Sequence, residues 1–452
     1  MSVSRAQQAL VSRASRRMIV SGLALLYLFY AKLWTQPVRG GSSNGSLRHL
    51  VIVDSDASSS PNLPPHDEQP PSTVSSSSSS SSTPSPTDAD APCCMLTAAP
   101  PLNITLERPI KMARPIRILF RTGNFDGTWQ CDVPCEYTTN EDNVGREVDG
   151  KQPVDVVVGE AGPPSIASAV RAANPMVATA ARSMESAVNY PSLKRLPEQV
   201  DAPMTTNMKT AAVPVIYLTR SSIAKWGGAP IVWNASALTA HYGRGSGGSS
   251  SASSSSRSAA SFVARNCHSK NGRESAVKKL SALLRGGVDR PGLCLNTVKW
   301  PKCDKGKKCG KHALLRRYPF YLAFENSDEE DYVSEKVFHA LEAGVLPVYN
   351  GAPNIADFVP PHSVVDVKDE AFGGNLEKVA AHLHSLLDDP AKYLEYFAWK
   401  SHPMPEDFQK RFGGLVGTHA KCRLCRWAYA RKYKLEWSQA EQRPLPTSGL
   451  WF

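Results

Sequence analysis

Apolar positions along the chain fall into three regimes. Met18 to Ala31 is almost unbroken apolar sequence, preceded by Arg5, Arg13, Arg16 and Arg17. From Thr35 to about Arg114 the pattern dissolves into serine, proline and aspartate, with an uninterrupted serine run from Ser75 to Ser82. Beyond Pro115 it becomes that of a folded protein. Pro115–Phe120, Val154–Gly159, Val213–Tyr217, Phe320–Phe324 and Val345–Tyr349 are apolar runs of strand length. Between them the period changes to that of helices: Val277, Leu280, Leu283 and Leu284 share one face, as do Val333, Val337, Ala340, Leu341 and Gly344. Apolar strands alternating with helical stretches predict an α/β protein built on parallel sheet.

The serine-rich regime cannot bury enough apolar surface to offset its ordering entropy, so residues 35–114 read as a disordered stem. A second serine-glycine tract, 243–261, reads as a flexible surface insertion between two α/β halves, 115–242 and 262–425, with a tail at 426–452. The first apolar run is short for a span, which takes about 20 residues. Lys32 can snorkel and Trp34 can sit at the interface, which lengthens the usable segment to 18–34. Trp34-Thr35-Gln36-Pro37 is a poor cleavage site, so an uncleaved signal anchor is expected. The arginine-rich residues 1–17 are then cytosolic and the remainder lumenal.

Composition sharpens this picture in two respects. The 452-residue chain carries a net charge of +11, which suits an anionic partner or a membrane surface. That charge is scattered and no zinc-finger or RNP-like motif is present, which argues against nucleic acid. Ten cysteines lie beyond the anchor, so disulfides are expected. Cys422 with Cys425 is the expected local pair, with Cys131–Cys135 or Cys294–Cys303 as further guesses. Cys303 and Cys309 have the wrong spacing to complete a zinc site with Cys422 and Cys425, and Cys93-Cys94 is free or links two chains through the stem. Asn44, Asn103 and Asn234 begin glycosylation sequons. Asp54-Ser55-Asp56 and Asp88-Ala89-Asp90 look like metal motifs but lie in the stem, with no fold to orient them, so no metal is assigned.

The densest chemistry lies in Tyr321–Gly351, which reads as strand, acidic loop, helix and strand. Asp331 is a plausible N-cap, placing Tyr332, Glu335 and Lys336 in or beside a first helical turn, where backbone N–H groups favour an anion. Spacing alone favours a solvated helix start with an acidic loop over a binding site.

The stretch FENSDEEDYVSEKVFHALEAGVLPVYNGAPNI (324–355) resembles the donor-binding signature of the α1,3-fucosyltransferases of glycosyltransferase family 10. It is most similar to the plant-type enzymes that fucosylate the core of N-glycans, and the likeness continues through Phe358 and into Cys422-Arg423-Leu424-Cys425. Ser183–Pro191 resembles the family's glutamate-serine motif, whose glutamate is the general base; that role falls on Glu185. Many family members have proline after Glu-Ser, whereas this chain has Ala187. Arg265–Arg273 resembles the asparagine-cysteine segment, which puts Arg273 on the donor diphosphate.

The resemblance implies a GT-B architecture of two Rossmann-like halves facing a cleft, and an inverting transfer of L-fucose from GDP-fucose to O3 of a GlcNAc. Arg273 and Lys336 would neutralise the departing GDP. Tyr332 and Asn326 would hold the nucleoside, Glu335 would face fucose or a ribose hydroxyl, and Glu325 would support the loop. No cofactor is required, a divalent cation serving at most to stimulate. The expected setting is the Golgi membrane, type II, acting on N-glycans of secretory glycoproteins. Two rivals are a Lewis-type enzyme acting on antennary GlcNAc and an inactive lumenal glycan- or nucleotide-binding protein.

Overall fold

The computed structural model describes residues 114–120, 127–129, 131–139, 153–242, 257–303 and 306–445, all within the unit Thr83–Phe452. The expected anchor, nearly all of the expected stem, Asn44, Asn103, Cys93 and Cys94, and residues 243–256 of the serine-glycine tract lie outside the described residues. Among the described residues no helix is long and apolar enough to cross a membrane.

Two largely parallel sheets carry the fold. The first contains β1 (Ile116–Phe120), β2 (Gly127–Trp129), β3 (Cys135–Thr138), β4 (Val156–Glu160), β5 (Ala178–Arg182) and β6 (Ala202–Met204), in the order β2-β3-β1-β4-β5-β6, with only β2 antiparallel. The second contains β7 (Ala260–Ser261), β8 (Val288–Asp289), β9 (Phe320–Phe324), β10 (Leu346–Asn350) and β11 (Val365–Asp366), in the order β11-β10-β9-β7-β8, all parallel. Every residue of β1, β9 and β10 is buried. Burial on both faces is why these strands read as continuous apolar runs rather than alternating ones.

Four of the five expected strands form. The fifth, Val213–Tyr217, does not: Pro214 has no N–H for a ladder, and the segment runs extended beside β6 with Val215 N–H bonded to Thr205 O at 2.9 Å. Both expected helices form, as Arg273–Leu283 and Glu335–Ala343. The second starts later than its acidic loop suggested. Ser334, not Asp331, is its N-cap residue, because Asp331 adopts a left-handed φ of 66° and its side chain is engaged elsewhere. The helix stops at Gly344, where φ is +69° and a Cβ would lie 2.0 Å from the carbonyl oxygen of Pro230. Only glycine satisfies both demands.

The chain crosses between its two cores more than once. Leu218, Ile223 and Trp226, which precede the serine-glycine tract, pack into the core of the second sheet. Near its end the chain returns: Leu424, Cys425, Trp427, Ala428 and Tyr429 of the helix Ala420–Tyr433 pack into the core of the first sheet. Within that helix Arg423 is fully buried, donating to Pro214 O at 2.7 Å, and Arg426 pairs with Asp132 at 2.8 Å.

The disulfides correct the expected pairing. Cys422 bonds to Cys131 and Cys425 to Cys135, so neither Cys422–Cys425 nor Cys131–Cys135 forms. Two cysteines three apart share one helical face, and here that face lies against the turn leading into β3, whose two cysteines are four apart. Cys294 pairs with Cys267 rather than Cys303, and Cys303 pairs with Cys309. Spacing along the chain favoured local pairs, whereas the fold joins residues 291 and 290 apart.

Candidate active site

In the second sheet β7 and β9 are neighbours, but the chain leaves β7 on one side for β8 and returns on the other to form β9. Ligands in open α/β sheets bind at such a switch point, outside the carboxyl ends of the strands. Arg273 occupies this one. It is the first residue of its helix, follows Gly272 (φ +71°), and is only 2% exposed. Its Nη2 donates to Asn266 O at 2.6 Å, beyond β7, and its Nη1 to Phe324 O at 3.4 Å, at the end of β9. Its Nε is buried with no hydrogen-bond partner among the described residues, and the same holds for Tyr321 Oη on β9. Buried polar atoms left unpaired cost about 1–3 kcal/mol each, and sites that receive a polar ligand are where such costs are tolerated.

The next residue after Phe324 is Glu325, fully buried. Its carboxylate accepts from Ser334 N–H at 2.8 Å, from Ser334 Oγ at 2.8 Å and from Lys336 Nζ at 3.1 Å, while Lys336 also donates to Ser334 Oγ at 2.8 Å. Gly351 lets β10 approach this carboxylate, since a Cβ there would lie 2.6 Å from Glu325 Cγ. Burial alone would push the Lys336 ammonium down, but Glu325 and Glu335 hold its pKa above the ordinary lysine value, so it stays charged. Glu335, with a 38% exposed side chain, lies 3.7 Å from Lys336 and 3.8 Å from Lys311. Burial raises its pKa, yet Lys336, Lys311 and His339 outweigh that and bring it to about 2. Asn326 sits half-buried above this corner, its carbonyl accepting from Lys270 N–H at 2.7 Å.

The acidic loop is a clasp rather than a solvated run. Glu329 accepts from Ala187 N–H at 2.6 Å, Glu330 pairs with Lys209 at 2.9 Å, and buried Asp331 accepts from Met208 N–H at 2.9 Å and from Arg411 at 2.9 Å. All but Arg411 belong to the segment that follows β5 and β6 of the first sheet. That clasp brings Glu185, three residues beyond β5, to the donor corner. The Oε2 of Glu185 lies 3.5 Å from Tyr332 Oη, and Tyr217 Oη donates to the neighbouring Met184 O at 3.0 Å. Burial, then the surrounding carboxylates, push both phenols well above the ordinary tyrosine value, so they act as neutral donors.

The structure therefore brings Glu185, Tyr332, Glu325, Lys336, Glu335 and Arg273 into one region, linked through Tyr332 and the Phe324–Glu325 step. Tyr332 is 2% exposed and offers no open ring face; its hydroxyl is the part that reaches the site. Asn234 is exposed and caps the helix Ala235–Tyr242, accepting from Ala237 N–H at 3.0 Å. Sequence reasoning passed over Ser334, Lys311, Tyr217 and Glu329. Of these only Ser334 left a signal, a serine directly before an apolar-periodic run. Lys311 and Tyr217 come from outside the stretch Tyr321–Gly351, and Glu329, although within the acidic loop, meets a partner 142 residues away.

Residues 253–440 match the model of glycosyltransferase family 10 (fucosyltransferase), carboxyl-terminal. The chain is 43% identical over 148 residues to an alpha-(1,4)-fucosyltransferase of Arabidopsis thaliana, covering 30% of this chain and 36% of that protein. It is 37% identical over 146 residues to alpha-(1,3)-fucosyltransferase C of Drosophila melanogaster, 32% of each chain. It is 31% identical over 143 residues to GDP-fucose protein O-fucosyltransferase 3 of Homo sapiens, 31% of this chain and 29% of that protein. The match thus spans about a third of the length of each of these relatives. A crystal structure of an alpha1,3-fucosyltransferase with GDP aligns with a TM-score of 0.41 at 16% identity, over 63% of this chain and 81% of that one.

Proposed function

We propose, from the match of residues 253–440 to the glycosyltransferase family 10 (fucosyltransferase) model, that this chain transfers L-fucose from GDP-fucose to O3 of a GlcNAc with inversion. The observation that carries this reading is that the clasp brings the Glu185 carboxylate, on the turn after β5, to Tyr332 on the donor loop, whose neighbours Phe324 and Glu325 hold the two cations Arg273 and Lys336.

The chemistry follows from that arrangement. Arg273, with its unpartnered Nε, and Lys336 receive the diphosphate, the guanidinium offering a planar fork and the ammonium a point charge. As the glycosidic bond lengthens, negative charge grows on the departing GDP, and cations already fixed in place stabilise it without reorganising. Glu325 and Ser334 do that fixing for Lys336. Glu185 takes the proton of the acceptor hydroxyl as that oxygen attacks the anomeric carbon from the opposite face. Tyr332 holds Glu185 rather than stacking on the nucleoside, Asn326 lines the nucleoside side, and Glu335 faces fucose or a ribose hydroxyl. Val188 and Tyr190, exposed hydrophobic side chains on the Glu185 loop, give the acceptor an apolar surface to lie on.

The architecture in this reading is GT-B, with an acceptor half on the first sheet that takes in the helix Ala420–Tyr433, a donor half on the second sheet that takes in Leu218, Ile223 and Trp226, and a cleft between them. The acceptor is the innermost GlcNAc of N-glycans, a choice resting on the similarity of residues 324–355 and 422–425 to plant-type core enzymes. The arginine-flanked apolar run 18–34, the sequons and the four disulfides support a type II Golgi membrane protein with a lumenal catalytic region. The test is a transfer assay with GDP-fucose and two acceptors, one a core-only N-glycan and one an antenna-only oligosaccharide. Fucose on the core acceptor alone is expected. Fucose on the antenna alone would make it a Lewis-type enzyme, and neither transfer nor GDP-fucose hydrolysis would remove the enzymatic reading.

A further inference from the structure

A second cluster lies one helical turn beyond Glu335. His339 and Glu342, three apart on the helix Glu335–Ala343, present one face to His312 of the short helix Lys311–Leu315. One donor atom from each of the three lies within 4.8 Å of the others. His312 Nε2 and Glu342 Oε2 are 2.7 Å apart, and the two imidazoles meet edge to face at 5.2 Å. The carboxylate of Glu342 is 5% exposed while the His312 side chain is 36% exposed, so the trio is walled on the inside and reachable from solvent. His339 Nδ1 is buried with no hydrogen-bond partner among the described residues. Nothing in the donor or acceptor chemistry uses these residues.

We propose that His312, His339 and Glu342 bind one divalent transition-metal ion, zinc foremost, which braces the two helices that supply Lys311, Glu335 and Lys336. Two imidazoles and one carboxylate without a thiolate suit zinc and its neighbours rather than magnesium or calcium, which take all-oxygen sites. With metal–ligand bonds of about 2.1 Å in tetrahedral geometry, donors lie about 3.4 Å apart, so side-chain rotations draw in the wider pairs, now within 4.8 Å, and open the 2.7 Å contact between His312 and Glu342. Binding replaces the hydrogen between His312 Nε2 and Glu342 Oε2, with the His312 proton carried on Nδ1, and solvent completes the coordination sphere. Two cations oppose the ion: Lys225, 3.9 Å from Glu342 and largely exposed, and Lys311, beside His339 and Glu335. Lys225 is largely exposed and can swing outward, while Lys311 is held by Glu335 and stays beside the site, which weakens binding.

The experiment is equilibrium dialysis of the full-length protein against micromolar zinc chloride, with metal content and thermal unfolding measured on the same samples. A Cys93→Ser, Cys94→Ser background removes competing thiolates. One zinc per chain is expected, with Tm raised by about 3 °C at concentrations well above Kd. His312→Gln, which sits at the exposed edge and keeps an amide donor for Glu342, and Glu342→Gln should each weaken zinc binding at least about tenfold, since even outer-shell changes cost that much. GDP binding, read by calorimetry on the same samples, should be unchanged in His312→Gln. Failure to bind stoichiometric zinc overturns the proposal, as does equal zinc binding by the background protein and both variants.

Discussion

The two sides of the site are built to different standards of rigidity. On the donor side, Glu325 accepts three bonds, Lys336 makes two, and the Arg273 guanidinium donates to the carbonyl of Phe324 at the end of β9 and to that of Asn266 beyond β7. On the acceptor side, Glu185 lies on a turn after β5 and touches the donor side through a single 3.5 Å approach to Tyr332. Cations that must neutralise a leaving group gain from being fixed in advance. A base that must meet a hydroxyl on an incoming glycan tightens only when that glycan arrives, and such hydrogen bonds are commonly long before it does.

The most severe way to break this comparison is at its single base. Glu185→Gln should lower turnover by about 10²–10⁴-fold, the usual range for a general base, while leaving GDP affinity within twofold of wild type by calorimetry. Unchanged turnover would take the base role from Glu185. On the other side, Lys336→Ala removes a charge-assisted contact to the diphosphate and should weaken GDP binding by about 10–100-fold, with acceptor KM little changed. It also leaves Glu325 buried without its countercharge, so Tm should fall as well. Equal GDP affinity in the variant would contradict the donor assignment.

A smaller effect is expected where the two sides meet. The Ala187 N–H donated to Glu329 is a bond that proline, common at this position in the family, cannot make. Ala187→Pro and Glu329→Gln should each reduce turnover by up to about tenfold, and the double variant by little more than either alone. Fully additive losses would mean the two residues act separately. The smallest effect concerns pH. Glu335 is held at about 2 when folded against 4.5 ordinarily, so the unfolded chain binds more protons between those values and stability falls as pH drops through that window. Glu335→Gln should flatten the loss of Tm between pH 4.5 and 2; identical acid profiles would show that Glu335 is not held so low.

Much of this was legible before any coordinates. The strands Ile116–Phe120, Phe320–Phe324 and Leu346–Asn350 announced themselves because burial on both faces leaves no room for polar alternation. Lys336 stood out because a cation at a helix start is visible locally, and Arg273 through the likeness of Arg265–Arg273 to the asparagine-cysteine segment. What stayed hidden was long-range. Asp331 reads as a helix cap by composition, yet its carboxylate goes to Met208, Asn354 and Arg411, 123, 23 and 80 residues away. Cys422 and Cys425 read as a pair by spacing, and only the return of the last helix to the first sheet gives each a separate partner. Val213–Tyr217 was apolar enough for a strand, but apolarity does not restore the N–H that Pro214 lacks.

The most direct test of the opposed carboxylate and cations is a crystal structure of the protein with GDP bound. The account predicts diphosphate oxygens within hydrogen-bond distance of Arg273 and Lys336 at the end of β9, with the Glu185 carboxylate facing the β-phosphate across open space wide enough for a sugar. A diphosphate seated elsewhere, or a Glu185 side chain turned away from it, would contradict the account.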